Sequence, residues 1–488
     1  MTAIRQRAAA EAVSVQPRAL AVDLDGTLCR SDTLVEALLT LVKRRPLALL
    51  SAPLWLVRGK AHFKAEVARR ADLNVETLPF NSDLVSWLRE EQAAGRRLVL
   101  ATGADSRIAD AVAAHLGIFD AVVASDGATN MTGSRKAEAL TARFGDFDYV
   151  GDGRVDVPVW EEAKAAMLSA SLPDIERVLS RQIAFTRVFR AETPRAPRLK
   201  LWLKALRVHQ WVKNTLMFVP LVLAHQMFDA GKLGTLVAGF MAFNICASSV
   251  YLLNDLLDLA ADRKHPRKRS RPFAAADLPL AQGLAVIPLL LAASFALAAA
   301  TSLPFAAVLA GYYALTLAYS FDLKRRPLLD VFTLASLYTL RIIAGGIAAS
   351  VVLSPWLLGF SVFIFLSLGV VKRVAEIGAS RGQGTAVLNG RGYRIDDLPI
   401  LEILGVAAGY ASVVVLALYI SAPASQVLYP HHQFLWLFAP LMLYWISRVW
   451  LITHRGEMHD DPIVFALKDP VSRAIAVIAA IVILLATV

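Results

Sequence analysis

The sequence YLLNDLLDLAADRKHPRKRSRP, residues 251–272, lies between two long apolar runs and combines an acidic cluster with a basic one. Asp255, Asp258 and Asp262 are spaced three and four residues apart. A helix that leaves a membrane would present them on one face, with Asn254 beside them. Neighbouring carboxylates repel each other unless a cation lies among them, and hard oxygen ligands favour Mg²⁺. The spacing therefore predicts an Mg²⁺ site that chelates a diphosphate.

The basic residues that follow these aspartates have two interpretations. They contact phosphate, or they only mark the cytoplasmic side of a membrane. We predict phosphate contacts for three of them: Lys264, Lys268 and Arg271.

The composition indicates that the motif belongs to a membrane protein. Of the 488 residues, 56% are hydrophobic and the mean hydropathy is +0.51, which argues against an ordinary soluble chain and excludes disorder and collagen-like repeats. The net charge is +11, and +10 of it falls in residues 196–488, between apolar runs, which argues against nucleic-acid binding. Cys29 and Cys246 have no CxxC partner, which excludes a disulfide framework and a zinc ribbon and is typical of a reducing compartment.

About nine apolar segments predict an all-α polytopic membrane domain. They are residues 214–228, 233–253, 280–300, 303–321, 328–350, 355–371, 403–422, 434–453 and 474–488. The loops after the second, fourth and sixth segments are rich in Lys and Arg, which places these loops, the active sites and the N-terminal domain on the cytoplasmic side of the inner membrane. Met1–Arg18 has no apolar core, so we expect no cleavable signal peptide there. Residues 199–213 carry two tryptophans among basic residues and predict an interfacial helix.

Before the membrane segments, short apolar strands alternate with helical stretches, which predicts a Rossmann-like α/β domain with a parallel sheet. The predicted strands are residues 19–22, 97–102, 121–124 and 149–151. The predicted organisation is an N-terminal tail (1–17), an α/β domain (18–190) with a small helical cap at about 33–80, a linker (191–198) and a transmembrane domain (199–488).

The strands of this domain end in residues suited to phosphate chemistry. The first strand ends in two carboxylates in VDLDGTL, residues 22–28, which belong at the carboxyl edge of a parallel sheet. The motif residues, in chain order, are Asp23, Asp25, Thr102, Lys136, Asp152 and Asp156. Their order over about residues 18–180 resembles the haloacid dehalogenase superfamily of phosphatases.

That resemblance implies a role for each residue. Asp23 is the nucleophile, and Asp25 protonates the leaving alkoxide and later activates water. Asp23, Asp152 and Asp156 hold Mg²⁺, while Thr102 and Lys136 hold the remaining phosphoryl oxygens. Two alternatives remain: the aspartates are only caps or turn formers, or the domain is a degenerate regulatory sensor.

Further polar residues enter or leave later apolar segments. Arg341 lies deep in one, where an unpaired charge costs ~2.5–3.5 kcal/mol and implies an acidic partner or a bound anion. We predict substrate-binding roles for seven of these residues: Lys213, Tyr319, Lys324, Asp330, Arg341, Lys372 and Arg373.

Residues 199–488 resemble the UbiA family of intramembrane prenyltransferases, whose signature is NDxxDxxxD on one loop and an acidic partner on a second. The stretches that carry the resemblance are RVHQWVKN (207–214), NDLLDLAADRKHPRKRSRP (254–272), YSFDLKRRPLLDV (319–331) and DDPIVFALKD (460–469). Within the family they are most similar to bacterial decaprenyl-phosphate phosphoribosyltransferases, which implies a polyprenyl phosphate acceptor and phosphoribosyl diphosphate as donor. Asp322 and Asp330 are eight residues apart and depart from the DxxxD of relatives with aromatic substrates, which weakens an aromatic acceptor.

The fusion of the two parts predicts two consecutive reactions, phosphoribosyl transfer to the lipid and removal of the 5-phosphate from its product. The competing hypotheses are a 4-hydroxybenzoate-type aromatic polyprenyltransferase with an unrelated phosphatase, and a regulatory N-terminal domain. The expected partners are Mg²⁺, the two substrates and the membrane, with no nucleic acid. The sequence leaves a homo-oligomer open.

Overall fold

The computed structural model describes residues 18–170, 173–190, 196–381, 392–458 and 461–487. The predicted tail and part of the predicted linker lie outside them. The chain divides into two compact units. The first ends at Leu206 and also contains Tyr251–Val286, and the second contains Arg207–Val250 and the chain from Ile287 onward.

The first unit is built on a six-stranded parallel sheet, as the alternation of strands and helices predicts. Its strands are β1 (Ala19–Val22), β2 (Leu98–Asp105), β3 (Ala121–Ser125), β4 (Phe147–Gly151), β5 (Ala166–Ala170) and β6 (Phe185–Arg190). The sheet order is β3-β2-β1-β4-β5-β6, so β1 lies between β2 and β4. The four-residue β1 is buried along its whole length, which explains why its sequence is a continuous apolar run.

Helices cover the sheet, and three of them lie in the stretch between β1 and β2 that was predicted as a cap. These three are α1 (Thr33–Arg44), α2 (Ala52–Val57) and α3 (Lys60–Ala71). The side chain of Asp32 caps the first of them by accepting a hydrogen bond from the backbone N–H of Val35. The remaining helices are α4 (Ser82–Ala93), α5 (Ser106–Leu116), α6 (Ser134–Phe144), α7 (Val157–Glu162) and α8 (Pro173–Leu179).

The predicted interfacial helix over residues 199–213 is two elements in the structure. Helix α9 (Arg198–Ala205) ends before Arg207, whose φ of 52° lies in the left-handed region and interrupts the helix. A 3₁₀ helix, Val208–Phe218, and the short α10 (Val219–Leu223) follow. The first predicted apolar segment, 214–228, is therefore not one long α-helix.

Among the described residues, eight helices are long and apolar enough to cross a membrane, against the nine segments counted in the sequence. The helices of this part are α11 (Ala230–Leu257), α12 (Leu259–Lys264), α13 (Leu280–Thr301), α14 (Leu303–Phe321), α15 (Leu329–Ala348), α16 (Pro355–Arg381), α17 (Leu398–Ser421), α18 (Pro423–Leu428), α19 (Phe438–His454), α20 (Pro462–Lys468) and α21 (Pro470–Thr487). The eight spanning helices match the second to ninth predicted segments.

A close approach fixes the 3₁₀ helix against α15 in the second unit. A Cβ atom at Gly345 would lie 1.9 Å from the carbonyl oxygen of Met217, so only glycine fits this position. The contact holds Asn214 of the 3₁₀ helix beside Arg341 on α15.

Candidate active sites

The first candidate site lies at the carboxyl ends of β1, β2 and β4, where the motif residues of the α/β domain converge. Asp23 follows β1, Thr102 lies in β2, and Asp152 follows β4. Because these strands are parallel neighbours in the sheet, their carboxyl ends meet at one edge. The sequence predicted this edge.

A buried lysine connects the carboxylates of this site. Lys136 Nζ donates hydrogen bonds to Asp23 Oδ1 at 2.8 Å, to Tyr149 Oη at 2.8 Å and to Asp156 Oδ1 at 3.1 Å. Tyr149 Oη also donates to Asp156 Oδ1 at 2.7 Å. Burial alone would lower the pKa of Lys136, but the charges of Asp23 and Asp156 raise it above its usual value, so the lysine stays charged.

Three carboxylates of this site are arranged as metal ligands. One oxygen each from Asp23, Asp152 and Asp156 lies within 4.8 Å of the others, and no other such group of acidic, His or Cys residues occurs in the described part of the chain. Burial raises the pKa of Asp23 to about 6, and burial with the charge of Asp23 raises the pKa of Asp152 to about 8. These carboxylates carry more negative charge than Lys136 neutralises, so the donor set fits a divalent cation.

The turn after β1 brings Asp25 and the metal-ligand cluster together. Gly26 has φ of +81°, and a Cβ atom there would lie 2.2 Å from Asp152 Oδ2, so both its conformation and the available space require glycine. Asp25 Oδ1 accepts a hydrogen bond from the backbone N–H of Thr33 at 2.7 Å. Burial, with the charge of Asp32, raises the pKa of Asp25 to about 7. A carboxyl group with this pKa can act as an acid near neutral pH.

The cap contributes a lysine that the sequence analysis missed. Lys64 on α3 donates from Nζ to the carbonyl oxygen of Gly103 at 2.6 Å and to Asn130 Oδ1 at 2.8 Å. Gly103 directly follows Thr102, and the charge of Asp25 acts on Lys64 and favours its charged form. Burial is the larger effect and lowers the pKa of Lys64. The residue carries no motif that would identify it from sequence.

The second candidate site is the aspartate-rich motif at the end of α11, also in the first unit. Arg271 Nη1 donates to Asp255 Oδ1 at 3.1 Å and to Asp262 Oδ2 at 2.6 Å, and both of these aspartates are buried. Asp258 Oδ1 instead accepts from Lys43 Nζ on α1 at 2.7 Å. A cationic nitrogen already lies between two buried carboxylates, so the arrangement fits a cation site.

The sequence predicts that Asp255, Asp258 and Asp262 lie on one helix, but the structure divides the motif between two helices. Helix α11 ends at Leu257 and α12 begins at Leu259, with Asp258 between them. Helical hydrogen bonds from Asp258 N to Asn254 O and from Asp262 N to Asp258 O cross the interruption at 2.9 and 2.8 Å. The carboxylate of Asp258 does not cap α12 and bonds Lys43 instead, so it is separated from the two carboxylates that share Arg271.

Three of the predicted substrate-binding residues meet in one polar cluster in the second unit. Arg373 forms an ion pair with Asp330, and both side chains are fully buried. Tyr319 Oη donates to Asp330 Oδ1 at 2.8 Å and accepts from Arg373 Nη2 at 3.1 Å. The structure thus brings Tyr319, Asp330 and Arg373 together as partners of one another.

The position of Arg341 deep in an apolar segment predicts an acidic partner or a bound anion. The structure surrounds it with other groups. Its Nε donates to Asn214 Oδ1 at 2.7 Å. Its guanidinium carbon lies 5.7, 5.4 and 5.0 Å from the ring centroids of Phe243, Tyr312 and Tyr338. An amide and three aromatic faces therefore stabilise the buried cation.

Two further predicted residues share one carboxylate in the second unit. Lys213 Nζ lies 2.7 Å and Lys372 Nζ 3.3 Å from Asp461 Oδ2. Burial opposes the charged form of Asp461, but the charges of Lys372 and Lys213 lower its pKa to about 2. Two cations around one carboxylate leave net positive charge for an anion. Asp461 belongs to the quoted stretch DDPIVFALKD, whose Asp460 lies outside the described residues.

Comparison with known proteins identifies the family. Residues 215–468 match the UbiA prenyltransferase family, and residues 20–161 match the haloacid dehalogenase-like hydrolases. The chain belongs to the UbiA prenyltransferase family. The UbiA-type domain is joined to an N-terminal hydrolase-like domain, as the motifs of both halves predict.

Relatives of this UbiA-family chain differ in how much of it they share. The protein y4nM of Sinorhizobium fredii is 39% identical over 457 residues, which are 93% of this chain and 88% of the relative. The nodulation protein NoeC of Azorhizobium caulinodans is 38% identical over 267 residues, 54% of this chain and 86% of the relative. The decaprenyl-phosphate phosphoribosyltransferase of Corynebacterium glutamicum is 40% identical over 179 residues, 36% of this chain, and the chain spans only 54% of that relative.

Not every predicted site residue of the UbiA-type part is placed in a cluster. Lys264 is the exposed last residue of α12, Lys268 is exposed on the loop after it, and Lys324 is half-buried in the turn after α14. Asn254 is half-buried in the last turn of α11. A substrate contact of these four residues stays a prediction.

Proposed function

We propose that this UbiA-family protein transfers 5-phosphoribose from phosphoribosyl diphosphate to a polyprenyl phosphate, and that its hydrolase-like domain then removes the 5-phosphate. The supporting observation is 40% identity to a decaprenyl-phosphate phosphoribosyltransferase over 179 residues of the UbiA-type part, on a chain that also carries an assembled phosphatase-type site. Transfer leaves a phosphomonoester on the lipid-linked ribose, and phosphatase chemistry consumes that group.

In the proposed transfer reaction, the aspartate-rich motif of the first unit binds the diphosphate of the donor. Asp255, Asp258 and Asp262 would hold Mg²⁺, and the ion would supply positive charge to the departing diphosphate. Arg271 stays beside two of these carboxylates and donates to phosphate oxygens. In the second unit, Lys213 and Lys372 provide positive charge for an anionic substrate group. The lipid phosphate oxygen attacks the anomeric carbon, and the bond from this carbon to the diphosphate breaks.

The geometry around Asp23 supports the proposed phosphatase reaction. Asp23 Oδ attacks the phosphorus of the 5-phosphate, while Asp25 donates a proton to the ribose oxygen that leaves. Lys136 neutralises the phosphoryl oxygens, and Asp25, now ionised, takes a proton from the water that hydrolyses the aspartyl phosphate. Asp23, Asp152 and Asp156 would hold Mg²⁺, and the ion would supply positive charge to the transferred group.

The contacts within the first unit support placing both reactions on one side of the membrane. Arg263, beyond the end of the spanning helix α11, forms an ion pair with Glu36 of the hydrolase-like domain at 2.6 Å. The basic loop around Arg263 supports the cytoplasm as this side.

The proposal is tested with the full-length protein in membranes, supplied with labelled phosphoribosyl diphosphate and with or without decaprenyl phosphate. We expect a labelled lipid that requires the lipid phosphate, and mass spectrometry should identify it as polyprenyl-phosphoryl-ribose. Incubation with a prenyl diphosphate and 4-hydroxybenzoate is the comparison. A prenylated aromatic product there, with no labelled lipid in the first reaction, would contradict the proposal and favour the aromatic prenyltransferase.

A further inference from the structure

The cap of the hydrolase-like domain contacts the aspartate-rich motif within the first unit. Arg263 donates from Nη2 and Nη1 to the two carboxylate oxygens of Glu36 on α1, at 2.6 and 3.1 Å. Two backbone carbonyls, of Thr77 and Ala274, accept further bonds from Arg263 at 3.1 and 3.0 Å. This buried, bidentate ion pair fixes α1 against the loop that carries the motif.

The C-terminal end of α1 contacts the aspartate-rich motif itself. Lys43, in the last turn of α1, lies 2.7 Å from Asp258, and both side chains are about one third exposed. Asp255 and Asp262 have Arg271 as their cation, whereas Asp258 pairs with a lysine of the cap. Each carboxylate of the motif is thus held by a positive side chain.

We infer that Lys43 is a positioning residue of the transferase: the phosphatase cap supplies the cation that orients Asp258 for Mg²⁺–diphosphate. The inference rests on the proposed function only for the role of the three aspartates as diphosphate-site ligands. A diphosphate carries more negative charge than one Mg²⁺ neutralises, so binding increases the attraction for the ammonium group. Lys43 therefore stabilises the loaded site more than the empty one.

The neighbouring residue provides a matched control. Arg44 lies on the same turn of α1, but it pairs with Asp72 of the cap and not with the motif. Lys43→Met and Arg44→Met each remove one positive charge from the same helix end while keeping an aliphatic chain of similar reach. A difference in diphosphate affinity between the two variants therefore reports the contact of Lys43 with Asp258, because both variants lose the same charge from the domain.

The test measures binding of inorganic diphosphate in the presence of Mg²⁺ to the full-length protein in detergent by isothermal titration calorimetry. We expect Lys43→Met to weaken the binding about five-fold, Lys43→Arg to restore most of it, and Arg44→Met to leave it within two-fold of the wild type. The loss should disappear at about 1 M salt, where the Debye length falls to about 3 Å, because the pair is partly exposed. A merely structural role of Lys43 would not respond to salt in this way.

Two results would overturn the inference. Unchanged affinity in Lys43→Met would show that the contact is incidental, and tighter binding would show that Lys43 competes with Mg²⁺ for Asp258. Hydrolysis of a small phosphate ester is followed in parallel and should be the same in all variants. If the wild type transfers no phosphoribose while Lys43→Met still binds diphosphate more weakly, the proposed donor is wrong and the role of Lys43 stands.

Discussion

The two aspartate clusters of this protein differ in how their negative charge is balanced. In the phosphatase-type site, Asp23, Asp152 and Asp156 gather oxygens within 4.8 Å around a single lysine, and two of the three carboxyl groups have strongly raised pKa values. In the transferase motif, Arg271 and Lys43 already neutralise the carboxylates. The first cluster has one lysine for three carboxylates and the second has two cationic side chains for three, so the first leaves more negative charge for a metal ion.

The largest expected effect comes from a substitution in the phosphatase-type site. Asp23→Asn keeps the size of the side chain but removes the nucleophile, so hydrolysis of a small phosphate ester should fall by at least about 10³-fold. The membrane half has its own acidic residues and should continue to transfer phosphoribose. Mass spectrometry of extracted lipids should then find the product one phosphate heavier than in the wild type.

The control for this variant is Asp83→Asn, an exposed position at the start of α4. It should hydrolyse the ester at the wild-type rate. Identical lipid products from Asp23→Asn and the wild type would show that the domain serves another substrate, and the two-step scheme would then be withdrawn.

The second variant tests the other cluster. Asp255→Asn removes one charged ligand and leaves Arg271 with only Asp262, so lipid ribosylation should fall by at least about 100-fold while ester hydrolysis stays intact. Asp322→Asn is the matched control, since Asp322 is exposed and forms an ion pair with Arg326, four residues along the chain. Near wild-type transfer in Asp255→Asn would contradict the assignment.

The pH dependence of phosphate ester hydrolysis tests the role of Asp25 in the phosphatase-type site. The pKa of Asp25 is raised to about 7. The carboxyl group is therefore protonated below pH 7 and can donate a proton, whereas above pH 7 it is ionised and cannot. Phosphoryl transfer from an alkyl phosphate should therefore fall about ten-fold per pH unit above pH 7. Single-turnover rates with 4-nitrophenyl phosphate, whose leaving group needs no proton, should lack this decline; an identical decline for both esters would rule out Asp25 as the acid.

The smallest expected effect concerns the cap. Lys64→Met removes the hydrogen bonds to Gly103 O and Asn130 Oδ1 beside the phosphate-binding strand, and we expect kcat/KM for ester hydrolysis to fall about five-fold. Lys60→Met, one turn earlier on the same helix and exposed, should have little effect. Equal rates in the two variants would limit Lys64 to a structural role.

Sequence reasoning predicted the parts of the molecule that local rules determine. A short buried run ending in carboxylates indicates a parallel strand and a site at its end, and β1 with Asp23 follows that rule. Strands β5 and β6 were missed because their sequences have no turn signal or motif of similar strength. The interruption of the helix at Asp258 was also missed, and so was the partner of its side chain, Lys43, which lies 215 residues away in the chain.

Long-range partners explain the remaining differences. The depth of Arg341 correctly indicates that the cation is stabilised, but the stabilising groups are Asn214 and aromatic rings brought in by the close approach at Gly345. No spacing in the sequence encodes such a contact. The quoted stretch DDPIVFALKD did contain Asp461, whose two lysine partners lie on distant segments.

The bidentate pair between Glu36 and Arg263 also sets an order of events during translation. The two residues are 227 positions apart, so at about 5–20 residues per second the ribosome adds Arg263 roughly 10–45 s after Glu36. During that interval the α/β domain can form its sheet, but the Glu36 carboxylate has only Ser31, of its final side-chain partners, to bond. The hydrolase-like domain therefore completes this part of its surface only after the ribosome has synthesised the whole of the spanning helix α11.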